Sequence, residues 1–256
     1  MKKVIVLTAV MAIVVGTNAA QTFDSNNENW SKGEVTDAGS YETVTMTQNA
    51  AVWASEADGN GYICETATSS TRPRPYNLGI YREDSGGSLF GDLTGQSIQA
   101  DFKRLGADFQ TLTASAPTVR WVISDATFAT SGYQEATWYY SAMSVSPVLN
   151  DLTGEWTVKS VEMTADNFFL WPNGVTDGSE VSFDDLIQGQ YNFVGFTILS
   201  SAADGSTFGF DAAYNLPDYG AYSTDSSSTL CIDNIVPEPA TMALLALGSL
   251  LIRKRK

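Results

Sequence analysis

The 256-residue sequence predicts an all-β protein, a single antiparallel β-sandwich. Three observations carry that expectation. Short segments alternate apolar and polar residues with period two, the pattern of a strand with one buried face. Clusters of Gly, Asn, Asp and Ser separate them, for example Asp58-Gly59-Asn60-Gly61 and Asp84-Ser85-Gly86-Gly87, where the chain can turn tightly. Only one short stretch reads as helix. Many short strands between such turns make a sandwich.

In chain order, Tyr41–Gln48 sets Val44 and Met46 against Thr43, Thr45 and Thr47. Gly61–Thr66 reads as the next strand. Gln96–Lys103 places Ile98, Ala100 and Phe102 on one face and Gln99, Asp101 and Lys103 on the other. Thr118–Ser124 groups Val119, Trp121 and Ile123 as a half-buried strand. Ala136–Ala142 and Trp156–Met163 follow. Ser182–Gln188 is the helix, with Ser182 as cap and Asp185 at the third position in the manner of a capping box. Asn192–Leu199 is apolar on both faces, which suits a central strand. Thr229–Ile235 is the last strand, because the Pro237-Glu238-Pro239 step that follows removes two donors and should end it.

The ends have a different character. Met1-Lys2-Lys3, the apolar Val4–Val15 and Thr17-Asn18-Ala19-Ala20 form a signal peptide over residues 1–20, with basic, apolar and cleavage regions in order. At the other end, Val236-Pro237-Glu238-Pro239 precedes Ala240–Ile252, 13 residues without a charge. That is shorter than the roughly 20 residues a stable span needs. Arg253, Lys254, Arg255 and Lys256 then act as a membrane stop. The sandwich domain therefore occupies residues 21–235 and the tail 236–256.

Without its termini the domain keeps eight Lys and Arg against 28 Asp and Glu, a net charge of −20. Such a surface repels nucleic acid and anionic membrane. There is no histidine, which excludes Ser-His-Asp and Cys-His catalysis and histidine-ligated zinc. Export places Cys64 and Cys231 where disulfides form. They are either a bond tying the end strands together or two separate buried thiols. As a bond they would contribute about 4–5 kcal/mol through loop entropy.

The tail closely resembles the PEP-CTERM sorting signal of exported proteins in Gram-negative bacteria, through Val236, Pro237, Glu238 and Pro239, the apolar stretch and the basic end. The resemblance implies export, transient inner-membrane association and recognition by an exosortase-type enzyme. Tail removal and delivery to the surface or extracellular matrix would follow. The same tail lends some ice-binding proteins a domain name, but it reports sorting and not ice chemistry. In the body, Phe23-Asp24 and Glu28-Asn29-Trp30 resemble the F-D-x-(4–5)-G-W opening of laminin-B-like or carbohydrate-binding-module-like jelly rolls, with Asn29 where Gly is usual. Gly59–Ile63, Phe90–Leu93, Gly154–Thr157 and Cys231–Ile235 extend the likeness. It implies a sandwich of jelly-roll type, and a structural calcium ion held by Asp24 and Asp233.

Function has three candidate constellations. Trp138, Tyr140 and Trp171 are the rings best suited to stack on sugar, since aromatic faces are flat and apolar; Trp30, Trp121 and Trp156 read as core. Oxygen ligands at Asp24 and Asp233 suit calcium. Asp184-Asp185 could in principle form a glycosidase pair, which needs carboxyls about 5–10 Å apart, but capping already occupies Asp185. No catalytic residue is assigned, and Arg72-Pro73-Arg74-Pro75 reads as an exposed loop. The expectation is a non-catalytic structural or adhesive surface protein. The alternative is a carbohydrate-binding module for extracellular polysaccharide, and a glycan-active enzyme ranks third.

Overall fold

The structure is a computed structural model. It describes residues 23, 30–33, 35–37, 44–46, 49–50, 52–55, 61–66, 79–83, 90–111, 116–127, 136–171, 178–201, 221–222 and 228–239. The signal peptide, the Arg72–Pro75 loop and the apolar and basic parts of the tail lie outside these residues.

Two antiparallel sheets form the sandwich. The larger runs β13 (Phe168–Leu170), β11 (Trp138–Ser141), β10 (Pro117–Ser124), β14 (Phe193–Ser200), β7 (Gly79–Glu83), β1 (Ser31–Gly33) and β4 (Asn49–Ala50), numbered in chain order. The smaller runs β12 (Thr157–Glu162), β8 (Gln96–Leu105), β16 (Thr229–Pro239), β6 (Gly61–Thr66) and β5 (Val52–Ser55). Two short pairs stand apart: β2 (Val35–Asp37) with β3 (Val44–Met46), and β9 (Gln110–Thr111) with β15 (Ala221–Tyr222). As its two-sided apolar pattern predicts, β14 is the middle strand of the seven.

The core lies between the sheets. Ile98, Ala100 and Phe102 of β8 meet Val119, Trp121 and Ile123 of β10 and Val194, Phe196 and Ile198 of β14 in one cluster. Phe102 stands edge-on to Trp121 at 6.3 Å and to Phe196 at 5.4 Å, while Trp30 stacks on Phe196 at 6.1 Å. These separations suit edge-to-face and offset contacts, which add about 0.5–1.5 kcal/mol each beyond burial.

β10 departs from the half-buried expectation. Thr118, Arg120, Val122 and Ser124, on its other face, are also buried. A second cluster covers that side: Val122, Ala126, Ala136, Trp138, Tyr140, Trp171, Phe193 and Leu199. The polar members are hydrogen-bonded within it. Arg120 Nε donates to Thr118 Oγ1 at 2.8 Å and Nη1 to the Ser141 carbonyl at 2.9 Å. Period two reports which side a residue faces; it says nothing of whether a further layer covers that side.

The helix is shorter than its pattern. Phe183–Asp185 makes one α-helical turn, and Leu186–Gln190 continues as a wider turn. Tyr191 N–H closes it on the Leu186 carbonyl at 3.1 Å. Gly189 at φ 104° breaks the helical backbone there, a conformation glycine adopts without a Cβ penalty. Ser182 Oγ accepts from Asp185 N–H at 3.2 Å and donates to its Oδ2 at 2.7 Å.

Candidate functional site

The last strand carries both the disulfide and the sorting motif. Over Thr229–Ile232, β16 is flanked by β6 on one side and β8 on the other. Cys231 lies opposite Cys64 with Cα atoms 4.2 Å apart, and the two form a disulfide. That close spacing marks a pair without mutual backbone hydrogen bonds, so the backbone groups of Cys231 turn instead toward Lys103 of β8. Alternation then makes Asp233–Asp101 the next hydrogen-bonded pair with β8.

A bulge follows. Asp233 pairs with Asp101 and Val236 with Gln99, so Asn234 and Ile235 together oppose Ala100. Asn234 has φ 48°, a left-handed conformation that Asn tolerates better than most residues. Its N–H donates to Asp233 Oδ1 at 2.7 Å and its amide to Asp101 Oδ2 at 2.8 Å. Ile235 is fully buried.

This extra residue settles how two prolines enter a strand. Beyond the bulge the hydrogen-bonded pairs with β8 are Val236–Gln99 and Glu238–Ser97, while Pro237 and Pro239 oppose Ile98 and Gln96. At those alternate positions the ring nitrogens point away from β8, where no donor is required. The Gln96 carbonyl agrees, because it accepts from Met163 N–H on the opposite side at 2.9 Å. Without the bulge Pro237 would face Ser97 at a position that demands an N–H. The expectation that Pro-Glu-Pro ends the strand is therefore corrected: β16 runs to Pro239. Prolines two residues apart share one side of a strand, and here that side has no paired strand among the described residues.

The outer face of the five-stranded sheet carries a polar group beside the disulfide. Lys103 is only 5% exposed. Its Nζ lies 4.4 Å from the Tyr62 ring centre and 4.3 Å from that of Trp156, within cation–π range. Trp156 is half-buried on this face, not in the core as expected. Asp101 Oδ1 is buried and has no hydrogen-bond partner among the described residues.

Of the expected calcium ligands, Asp24 lies outside the described residues. Asp233 supplies one carboxylate beside Asp101, and calcium takes 6–8 oxygens. Among the described residues no group of three or more His, Cys, Asp and Glu could hold a metal ion. Asp184 and Asp185 are exposed.

The expected sugar-stacking rings are elsewhere and covered. Trp138, Tyr140 and Trp171 are 2%, 1% and 4% exposed. Tyr140 lies 4.6 Å from Trp171, and Trp138 5.2 Å from Phe193. They pack on one another in the second cluster and offer no face to a ligand. Sequence reasoning missed Tyr62, Lys103 and Asn234 as a group. The one local sign was Asp233-Asn234, a pair of residues that favour bulges and turns inside an otherwise strand-like run.

Compared with known families, residues 236–256 match the PEP-CTERM protein-sorting motif. No curated protein matches the chain. The tail is thus that of an exported protein handled by an exosortase-type system. Among the described residues no helix is long and apolar enough to cross a membrane.

Proposed function

We propose that this is a structural or adhesive protein of the cell surface or extracellular matrix, without catalytic activity, released there when its tail is removed. One observation carries the reading. The sorting motif joins, with no spacer, a β-sandwich whose last strand is tied to the body by the Cys64–Cys231 disulfide. A bond closing 167 residues suits a domain that must persist outside the cell, since it adds about 5 kcal/mol by restricting the unfolded chain.

The test replaces Pro237 and Glu238 with alanine in the full chain, expressed in a host that carries an exosortase. Retention of the tail on gels and by mass spectrometry is expected. Normal trimming would refute the sorting reading.

A second reading, polysaccharide binding, draws on the half-buried Tyr62 and Trp156 rings around Lys103. It moves the sugar surface from the second cluster to the outer face of the smaller sheet. Saturable binding to a polysaccharide panel, lost in Trp156→Ala, would favour it; absence of binding would remove it.

A further inference from the structure

Sorting motif and folded body overlap over four residues. Val236–Pro239 belong to the matched tail and are also the end of β16, paired with Gln96–Gln99. Pro237 is buried and Glu238 half-buried. An enzyme that reads this motif must reach its backbone and its glutamate, and a segment laddered into a sheet offers one edge only.

We propose that this pairing withholds the motif from its processing enzyme, and that the form competent for tail removal is the one in which the end of β16 has left β8. The proposal rests on reading residues 236–256 as an exosortase signal. Cleavage of folded proteins generally proceeds through such locally opened states.

The fold makes the opening local. Upstream of the bulge, β16 is held by β6, β8 and the disulfide. Downstream, among the described residues, only β8 pairs with it. The two prolines add no donors to that ladder, so Val236 and Glu238 are the two residues that exchange hydrogen bonds there. Release therefore stops at Asn234, whose left-handed backbone already interrupts the ladder. The sandwich stays closed while the motif swings free.

Nor can the tail supply the slack. The strand ends at Pro239 and the uncharged stretch begins at Ala240. No spacer residue separates the paired motif from that stretch, so a motif still paired to β8 stays against the body.

Two variants of the full chain test this without changing the motif. In Ser97→Pro, the N–H that faces Glu238 near the start of β8 is removed from the ladder. In the second, six Gly and Ser residues inserted between Ile235 and Val236 loosen the tether to the pinned half of β16 and add a loop-closure cost to the pairing. Pulse-chase measurement of tail loss in the exosortase host is the readout. Formation of the Cys64–Cys231 bond reports that each variant is folded. Tail loss about tenfold faster in both variants is expected, the factor that one to two net hydrogen bonds represent. Equal rates in folded wild type and folded variants would overturn the proposal. The Pro237→Ala, Glu238→Ala chain separates the two ideas: if it is trimmed normally the sorting reading fails, whereas if it keeps its tail and the rates are equal only the withholding fails.

Discussion

The two halves of β16 belong to one strand and are held very differently. Thr229–Ile232 has a neighbour on each side, places Leu230 and Ile232 in the core and carries the disulfide. Val236–Pro239 has one described neighbour and two residues that cannot donate. The change occurs across two residues, Asn234 and Ile235. A strand's stability is thus not a property of its length or of its apolar content. It depends on how many ladders and side-chain layers each portion enters.

The largest effect should come from the pin itself. Replacing both Cys64 and Cys231 with serine should cost about 5 kcal/mol in denaturant unfolding. Amide exchange at Leu230 and Ile232 should then approach that at Val236. If exchange in the first half stays slow, the flanking strands and not the disulfide make the difference.

Ile232→Ala, in the doubly flanked half, should cost about 2–5 kcal/mol as a buried large-to-small change. Val236→Ala, half-buried beyond the bulge, should cost less than about 1 kcal/mol by the same area reasoning. Similar losses in the two variants by chemical denaturation would mean that the halves are equally anchored.

The boundary between them can be tested at Asn234. Asn234→Val should destabilise by about 1–3 kcal/mol, the range for a left-handed backbone on an unsuited residue. Asn234→Gly should leave stability within about 1 kcal/mol, its relief of strain set against the lost bond to Asp101. Melting curves of the two variants check the order.

The smallest effect is a control away from β16. Burial first, then the charge of Glu180, raises the Tyr139 hydroxyl above its ordinary pKa of 10.0. The folded state therefore holds that proton more tightly than the unfolded one. Stability from this group is intact below about pH 10 and falls as pH rises through the folded value. Tyr139→Phe should flatten the alkaline fall in melting temperature while losing the bond to the Val181 carbonyl, 3.2 Å long. Because Tyr139 stands on β11 in the other sheet, the ratio of exchange rates between the halves of β16 should not move.

Much of this was legible in the residues alone. The alternation in Gln96–Lys103 and Thr118–Ser124, and the strand-like run Trp156–Met163, located β8, β10 and β12 to within one or two residues. The Ser182 cap and the central place of β14 were equally clear, because backbone preference and side-chain period are local properties. The Pro-Glu-Pro tail also stands in the sequence unaided. Long-range pairing supplied the remainder. Whether the second face of β10 is wet or covered depends on what packs over it, so Trp138, Tyr140 and Trp171 passed for surface rings until the second cluster appeared. Lys103 looked like a solvated side chain until Tyr62 and Trp156, 41 residues before it and 53 after it in the chain, closed around its ammonium. The fate of Pro237 and Pro239 turned on register. A proline is forbidden or harmless in a strand according to which side its nitrogen faces, and one bulged residue, set against β8 more than a hundred positions away, reverses that side.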